Sequence, residues 1–194
     1  MFTVRALSFL SAMLAVHGAT IAERQSQACS TVHSGLFSGF TNDTIHFGLN
    51  EHHEVVTADH GIVTSFGVDF QACPALGGQF PNADIFLGRI VVQQSSFVGP
   101  NTCLTIENFP SAEPWLIKAQ TCGDATTPPA KQVWNIGSDF GETIGFAGSA
   151  DCSSPGAFYE SDPETSAPIT TSAGLIQLAC EPTSSFNLES LSLS

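Results

Sequence analysis

Three times along the chain a strand-like lead ends on a cysteine: Val68-Asp69-Phe70-Gln71-Ala72-Cys73, Ile117-Lys118-Ala119-Gln120-Thr121-Cys122 and Leu175-Ile176-Gln177-Leu178-Ala179-Cys180. The residue five places before each cysteine is apolar: Val68, Ile117 and Leu175. A polar loop follows each cysteine, and then an apolar or aromatic pair: Ile85-Phe86, Val133 with Trp134, and Phe186 with Leu188. Glycine opens the next unit after the first two, at Gly88 and Gly141. A repeat of this kind constrains the fold more than any local propensity, because one unit cannot bury its own apolar face and must pack on its copies.

The local signals all point to strands. No long window shows a 3.6-residue apolar period, and Gly or Pro interrupts the chain every few residues. Strand-like runs rich in β-branched and aromatic residues lie at 44–49, 54–57, 62–70, 85–92, 103–106, 115–119, 132–136, 143–147, 157–159 and 174–179. Turn clusters such as Phe97-Val98-Gly99-Pro100-Asn101 and Thr126-Thr127-Pro128-Pro129 separate them. Short strands at regular spacing predict an all-β barrel or sandwich. Three units of about 50–55 residues, at 33–87, 88–140 and 141–194, predict one barrel with pseudo-threefold symmetry, a β-trefoil. Residues 23–32 form an N-terminal segment ahead of this domain.

The first residues explain why the cysteines are read as bridged. Met1–Arg5 is a short positive stretch, Ala6–Val16 is an apolar run, and Gly18, Ala19 and Ala22 supply small residues for cleavage. That is the layout of a secretory signal peptide, here 1–22, and the run is shorter than the roughly 20 residues a membrane span needs. An exported protein with Cys29, Cys73, Cys103, Cys122, Cys152 and Cys180 is expected to hold three disulfides. Two cysteines fall in the middle unit and two in the last, which predicts Cys103–Cys122 and Cys152–Cys180 and leaves Cys29–Cys73 by elimination. Closing a loop near 20 residues contributes about 3 kcal/mol in the chain-entropy model. Asn42-Asp43-Thr44 is a glycosylation sequon, with Asn42 the acceptor.

Charge narrows the partners. The chain has 18 acidic and 5 basic residues and a formal charge of −13, and loss of Arg5 with the leader makes the mature protein more negative still. Nucleic acid and anionic membrane both demand a basic surface, so neither is expected as partner, and no later segment suggests membrane insertion.

The middle unit carries a resemblance. Asn101-Thr102-Cys103-Leu104-Thr105-Ile106, then Leu116–Cys122, then Gln132-Val133-Trp134 resembles one repeat of the ricin B-type β-trefoil lectins, which run from a cysteine-led strand through a second cysteine to a Q-x-W. In the last unit Phe186-Asn187-Leu188 stands at the Q-x-W place, and in the first Asp84-Ile85-Phe86. The resemblance implies that Trp134 fills the core and that Gln132 bonds backbone at the turn. It also implies a sugar site, but Thr105 stands where the family carries an aspartate and Lys131 precedes Gln132. The candidates for carbohydrate are Thr105 at that place, with Glu107, Asn108, Trp115, Lys118 and Gln120. Trp115 has two readings: an exposed indole that stacks on a sugar ring, or a cap on the barrel.

Other chemistries are less well supplied. His33, His46, His52, His53 and His60 crowd together with Glu51, Glu54 and Asp59, but adjacent histidines on a strand point to opposite faces and no metal-ligand spacing is present. No G-x-S-x-G elbow marks a serine hydrolase, and no carboxylate pair stands out. No metal, cofactor or catalytic residue is therefore expected. The sequence predicts a secreted, non-catalytic protein that binds extracellular glycans. The alternative is a trefoil protease inhibitor acting on a secreted protein through a loop such as Pro110–Pro114 or Pro163–Pro168. A secreted hydrolase ranks below both.

Overall fold

The computed structural model describes residues 27–40, 44–57, 65–77, 85–95, 98–111, 113–137, 143–149, 152, 156–180 and 184–189. The expected signal peptide, the Asn42 sequon, Asp59, His60 and the start of the run at 62–70 lie outside them. Twelve strands follow in order. They are β1 Ser30–Phe40, β2 Thr44–Leu49, β3 Val55–Thr57, β4 Gly67–Ala72, β5 Ile85–Val92 and β6 Thr102–Ile106. β7 Trp115–Thr121, β8 Trp134–Gly137, β9 Thr143–Phe146, β10 Phe158–Tyr159, β11 Gln177–Ala179 and β12 Ser185–Glu189 complete them. Among the described residues there is no α-helix, only short 3-10 turns at Pro74–Leu76 and Ala130–Gln132.

Six strands close a barrel. β1 pairs β4, β4 pairs β5, β5 pairs β8, β8 pairs β9, β9 pairs β12 and β12 returns to β1, all antiparallel. Closure removes the free sheet edges that would otherwise template association. The other six strands form three hairpins, β2–β3, β6–β7 and β10–β11. The order barrel strand, hairpin, barrel strand thus occurs three times. The hairpins also join one another pairwise: Glu54 bridges Lys118, Val56 bridges Leu175, and Gln177 and Leu178 pair with Leu116 and Trp115.

Aromatic residues fill the interior. Phe186 stacks on Phe37 at 4.9 Å between ring centroids and meets Phe47 and Trp134 edge-on. Trp134, Tyr159, Phe70 and Phe146 are fully or almost fully buried with them. Such rings supply large apolar area, and the edge-on pairs add specificity of geometry.

Three disulfides link Cys29 to Cys73, Cys103 to Cys122 and Cys152 to Cys180, the pairings that the repeat predicts. Their places in the fold differ from the expected register. Cys122 and Cys180 follow the second strand of a hairpin, β7 and β11, whereas Cys73 follows the barrel strand β4. β5 therefore runs across the 87/88 unit boundary, and Ile85-Phe86 opens a barrel strand instead of standing at the Q-x-W place. In the first unit Phe66, ahead of β4 and packed on Phe37, holds the core position instead. The lead into each cysteine alternates the same way in all three, and alternation alone does not say which strand of a unit it builds.

Two strands are absent from the sequence reading, β12 and the longest one, β1. β1 reads Ser-Thr-Val-His-Ser-Gly-Leu-Phe-Ser-Gly-Phe, a composition that signals a loop. Its glycines serve packing. A Cβ at Gly35 would meet the Glu189 carbonyl at 2.5 Å, and one at Gly39 would meet the Tyr159 hydroxyl at 2.8 Å. Close approach of backbone excludes larger side chains there.

Candidate functional site

The residues expected to hold sugar cluster on the β6–β7 hairpin, and the structure commits most of them to other work. Thr105 in β6 is completely buried. Its hydroxyl donates to the Cys103 carbonyl and accepts from Gln132 Nε2 at 2.9 Å. Gln132 also donates to the Thr121 carbonyl and accepts from the Gly123 N–H, so its amide pins the chain after β7. Trp134 Nε1 donates to the Leu104 carbonyl at 3.0 Å. Trp115 is 1% exposed, and its indole N–H donates to Ser111 O at 2.8 Å. Its ring packs edge-on against Phe109 and Phe146. Trp115 therefore caps the interior and offers no face for stacking, and Thr105 offers no accessible hydroxyl; both correct the sugar-site expectation. The cause is parity: Trp115, Ile117 and Ala119 share the inward face of β7.

Lys118 and Gln120 fall on the opposite face of β7 and are partly exposed. Lys118 Nζ lies 3.2 Å from Glu107 and 3.9 Å from Glu54, across the seam between the first two hairpins. Partly exposed ion pairs of this kind are worth at most about 1 kcal/mol. Asn108 braces the turn before β7: its Nδ2 donates to the Pro114 carbonyl, and its Oδ1 accepts from the Leu116 N–H. Glu113 reaches across to accept from the Cys180 N–H at 3.3 Å. Pro110, Ser111, Glu113 and Pro114 are left facing solvent on a turn held from beneath.

The turn of the first hairpin is braced the same way. Asn50 Oδ1 accepts from the N–H groups of His52 and Glu54. The third hairpin differs, because β10 and β11 are separated by an excursion over 160–176 against turns of 50–54 and 107–114 in the others. That excursion carries its own frame. Asp162 N–H donates to Ala167 O, Ile169 N–H to Glu160 O, and Thr171 N–H to Leu175 O. The Asp162 carboxylate accepts from the Glu164 and Thr165 N–H groups and the Thr165 hydroxyl. Thr171 Oγ1 accepts from Ala173 and Leu175. Asp162 followed by Pro163 is the signal that could have marked this turn, but neither the extent of bracing nor the exposure of Ile169 follows from it.

Those hydrogen bonds, the Thr165 N–H foremost, hold the Asp162 carboxyl below its ordinary value of 3.8. A depressed value stabilises the turn above the unfolded range, and the contribution disappears as pH falls through the lower folded value. The Glu164 and Thr165 amide resonances should therefore titrate together with a midpoint below the ordinary aspartate range. Asp162→Ala should remove that transition and raise amide exchange at both positions at every pH.

Neither metal nor nucleophile chemistry is assembled among the described residues. The one group with three metal-type donors, Glu113 with Cys152 and Cys180, has both sulfurs in a disulfide. His46 faces Glu189 at 3.6 Å and pairs across strands with Ser38. Ser38 is 2% exposed and its hydroxyl donates to the Asn187 carbonyl, so this Ser-His-Glu row presents no accessible nucleophile. None of the described Phe, Tyr or Trp side chains is exposed.

Compared with known proteins, the chain matches no protein-family model, no curated protein and no solved structure.

Proposed function

We propose that this chain is a secreted, non-catalytic β-trefoil, related in architecture to the ricin B-type lectins, that binds a secreted protein in the manner of a protease inhibitor. Support for the trefoil comes from the six-stranded barrel and three mutually joined hairpins, each set between two barrel strands. Support for the relationship comes from Gln132 and Trp134, whose polar atoms tie β6, the end of β7 and the start of β8 together. Three disulfides suit an oxidising, extracellular setting.

One observation carries the choice of protein over glycan: exposed turns are braced by buried or half-buried side chains, while none of the described Phe, Tyr or Trp side chains is exposed, Phe86 and Phe109 being half-buried and the rest buried. Sugar recognition relies on an open aromatic face, whereas protein recognition by a loop gains affinity when the loop is already ordered. The test is direct. Purified full chain is applied to a glycan array and assayed against serine, cysteine, aspartic and metallo endopeptidases. Saturable, stoichiometric inhibition of at least one enzyme is expected, with array signals at background. Strong glycan retention without inhibition returns the reading to a lectin.

A further inference from the structure

The inhibitor reading leaves open which part of the molecule meets the enzyme, and the threefold scaffold supplies an internal comparison. Three hairpins do the same structural job, and two do it with compact turns at 50–54 and 107–114. The third carries the excursion 160–176, whose residues Pro163, Glu164, Thr165, Ala167, Ile169, Ser172 and Ala173 are exposed. Its ends serve the barrel, with Ser161 and Ile176 buried and Leu175 bridged to Val56, but over 162–173 the extra chain has no buried residue, so ordering that part gains the barrel little against the conformational entropy lost. It is nevertheless bonded to itself through Asp162 and Thr171, and bridged at Ser161 to Pro168 and at Thr170 to Ile176. Order without burial is the property of a display element.

What it displays is specific. Only Val32 and Ile169 are exposed large hydrophobics among the described residues, each 41% exposed. Val32 lies on β1 beside an irregularity in the barrel wall. Ile169 sits on the excursion between Pro168 and Thr170, both turned partly inward, with its own N–H fixed on Glu160 O at 2.8 Å. A single exposed apolar residue on a surface is ordinary. One held outward by a bonded backbone, within a stretch (162–173) that has no buried residue, is a candidate anchor for a complementary pocket. Glu160, Asp162 and Glu164 lie on the same excursion, in a chain of net charge −13. Opposite charge on the partner would speed its approach.

Resting on the inhibitor reading, we propose that the β10–β11 excursion is the inhibitory element and that Ile169 enters the primary pocket of a secreted serine endopeptidase. That pocket accepts branched aliphatic side chains, and the enzyme surface around it is basic. The association is non-covalent, and no bond of either protein is required to break.

The experiment measures inhibition of a cationic elastase-type serine endopeptidase by the full disulfide-bonded chain, at low and physiological salt. Ile169→Asp should weaken inhibition by about 100-fold, and Ile169→Val by less than about tenfold. Glu164→Lys should slow association several-fold and flatten its salt dependence. Ser111→Ala, on the other exposed turn, should change nothing. Unchanged melting temperatures of the Ile169 variants show that the effect is at the surface. Equal inhibition by wild type and Ile169→Asp, with loss in a 107–114 variant, overturns the inference and keeps the inhibitor reading. Inhibition restricted to enzymes whose pockets select basic or aromatic side chains also overturns it. Failure to inhibit any of the four protease classes removes both.

Discussion

Trp134→Ala should lower the stability of the folded chain by about 3–5 kcal/mol, the largest loss expected for any single side chain. The indole is completely buried, packs edge-on against Phe146 and Phe186, and donates to the Leu104 carbonyl. Truncation removes the transfer term, opens a cavity between three barrel strands and leaves a β6 carbonyl without its donor. Chemical denaturation followed by fluorescence of the remaining Trp115 reads the change. Trp134→Phe separates the contributions: it keeps most of the packing and loses the N–H, so its cost should be well below that of alanine. Equal destabilisation by the two variants would mean that the hydrogen bond dominates. The lost stability should be independent of salt, since no charged group is involved.

The second large effect is expected from Cys29 and Cys73. Their bridge spans 44 residues, the longest separation of the three. In the chain-entropy model its removal costs about 4 kcal/mol, against about 3 kcal/mol for Cys103–Cys122 with a separation of 19. It also fastens the start of β1 where Ser30 pairs with Ala72. Without it the outer part of β1 has, among the described residues, only the β4 ladder, because the described part of β12 pairs with β1 from Leu36 onward. The Cys29→Ala/Cys73→Ala double variant should therefore melt well below the Cys103→Ala/Cys122→Ala variant. Hydrogen exchange should rise first at 30–35, where β1 pairs with β4 next to the lost bridge. Equal melting of the two variants would show that loop length does not govern here.

Much of the barrel was legible because strand runs and cysteine spacing are local. Thr44–Leu49 and Ile85–Val92 match the sequence reading at both ends. β1 was hidden because its serines and glycines answer to neighbours far away in sequence: Gly35 to Glu189, and Gly39 to Tyr159 and Phe47. No window of β1 contains that information. The Cys73 register misled for a related reason, since the same alternation builds hairpin and barrel strands alike. The candidate site was legible only in part. Gln132 and Trp134 declared themselves by spacing. Trp115 was ambiguous until the parity of β7 placed it inward, and Ile169 could not be distinguished from a core isoleucine without knowing that 160–176 leaves the barrel.

The pairing of β12 with β1 has a consequence for how the molecule can be rearranged. Glu189 lies opposite Leu36, so the first and last strands are neighbours joined by an ordinary antiparallel ladder. The polypeptide is a line, but its strand order is a ring, and β12 neighbours β1 through the same kind of antiparallel pairing that joins β4 to β5 and β8 to β9. A linker from Glu189 back to Cys29, with a new opening between β8 and β9, should give a circular permutant with the same ladders. The cut would leave every disulfide within one continuous segment, so the rearranged chain has the same oxidative folding problem to solve.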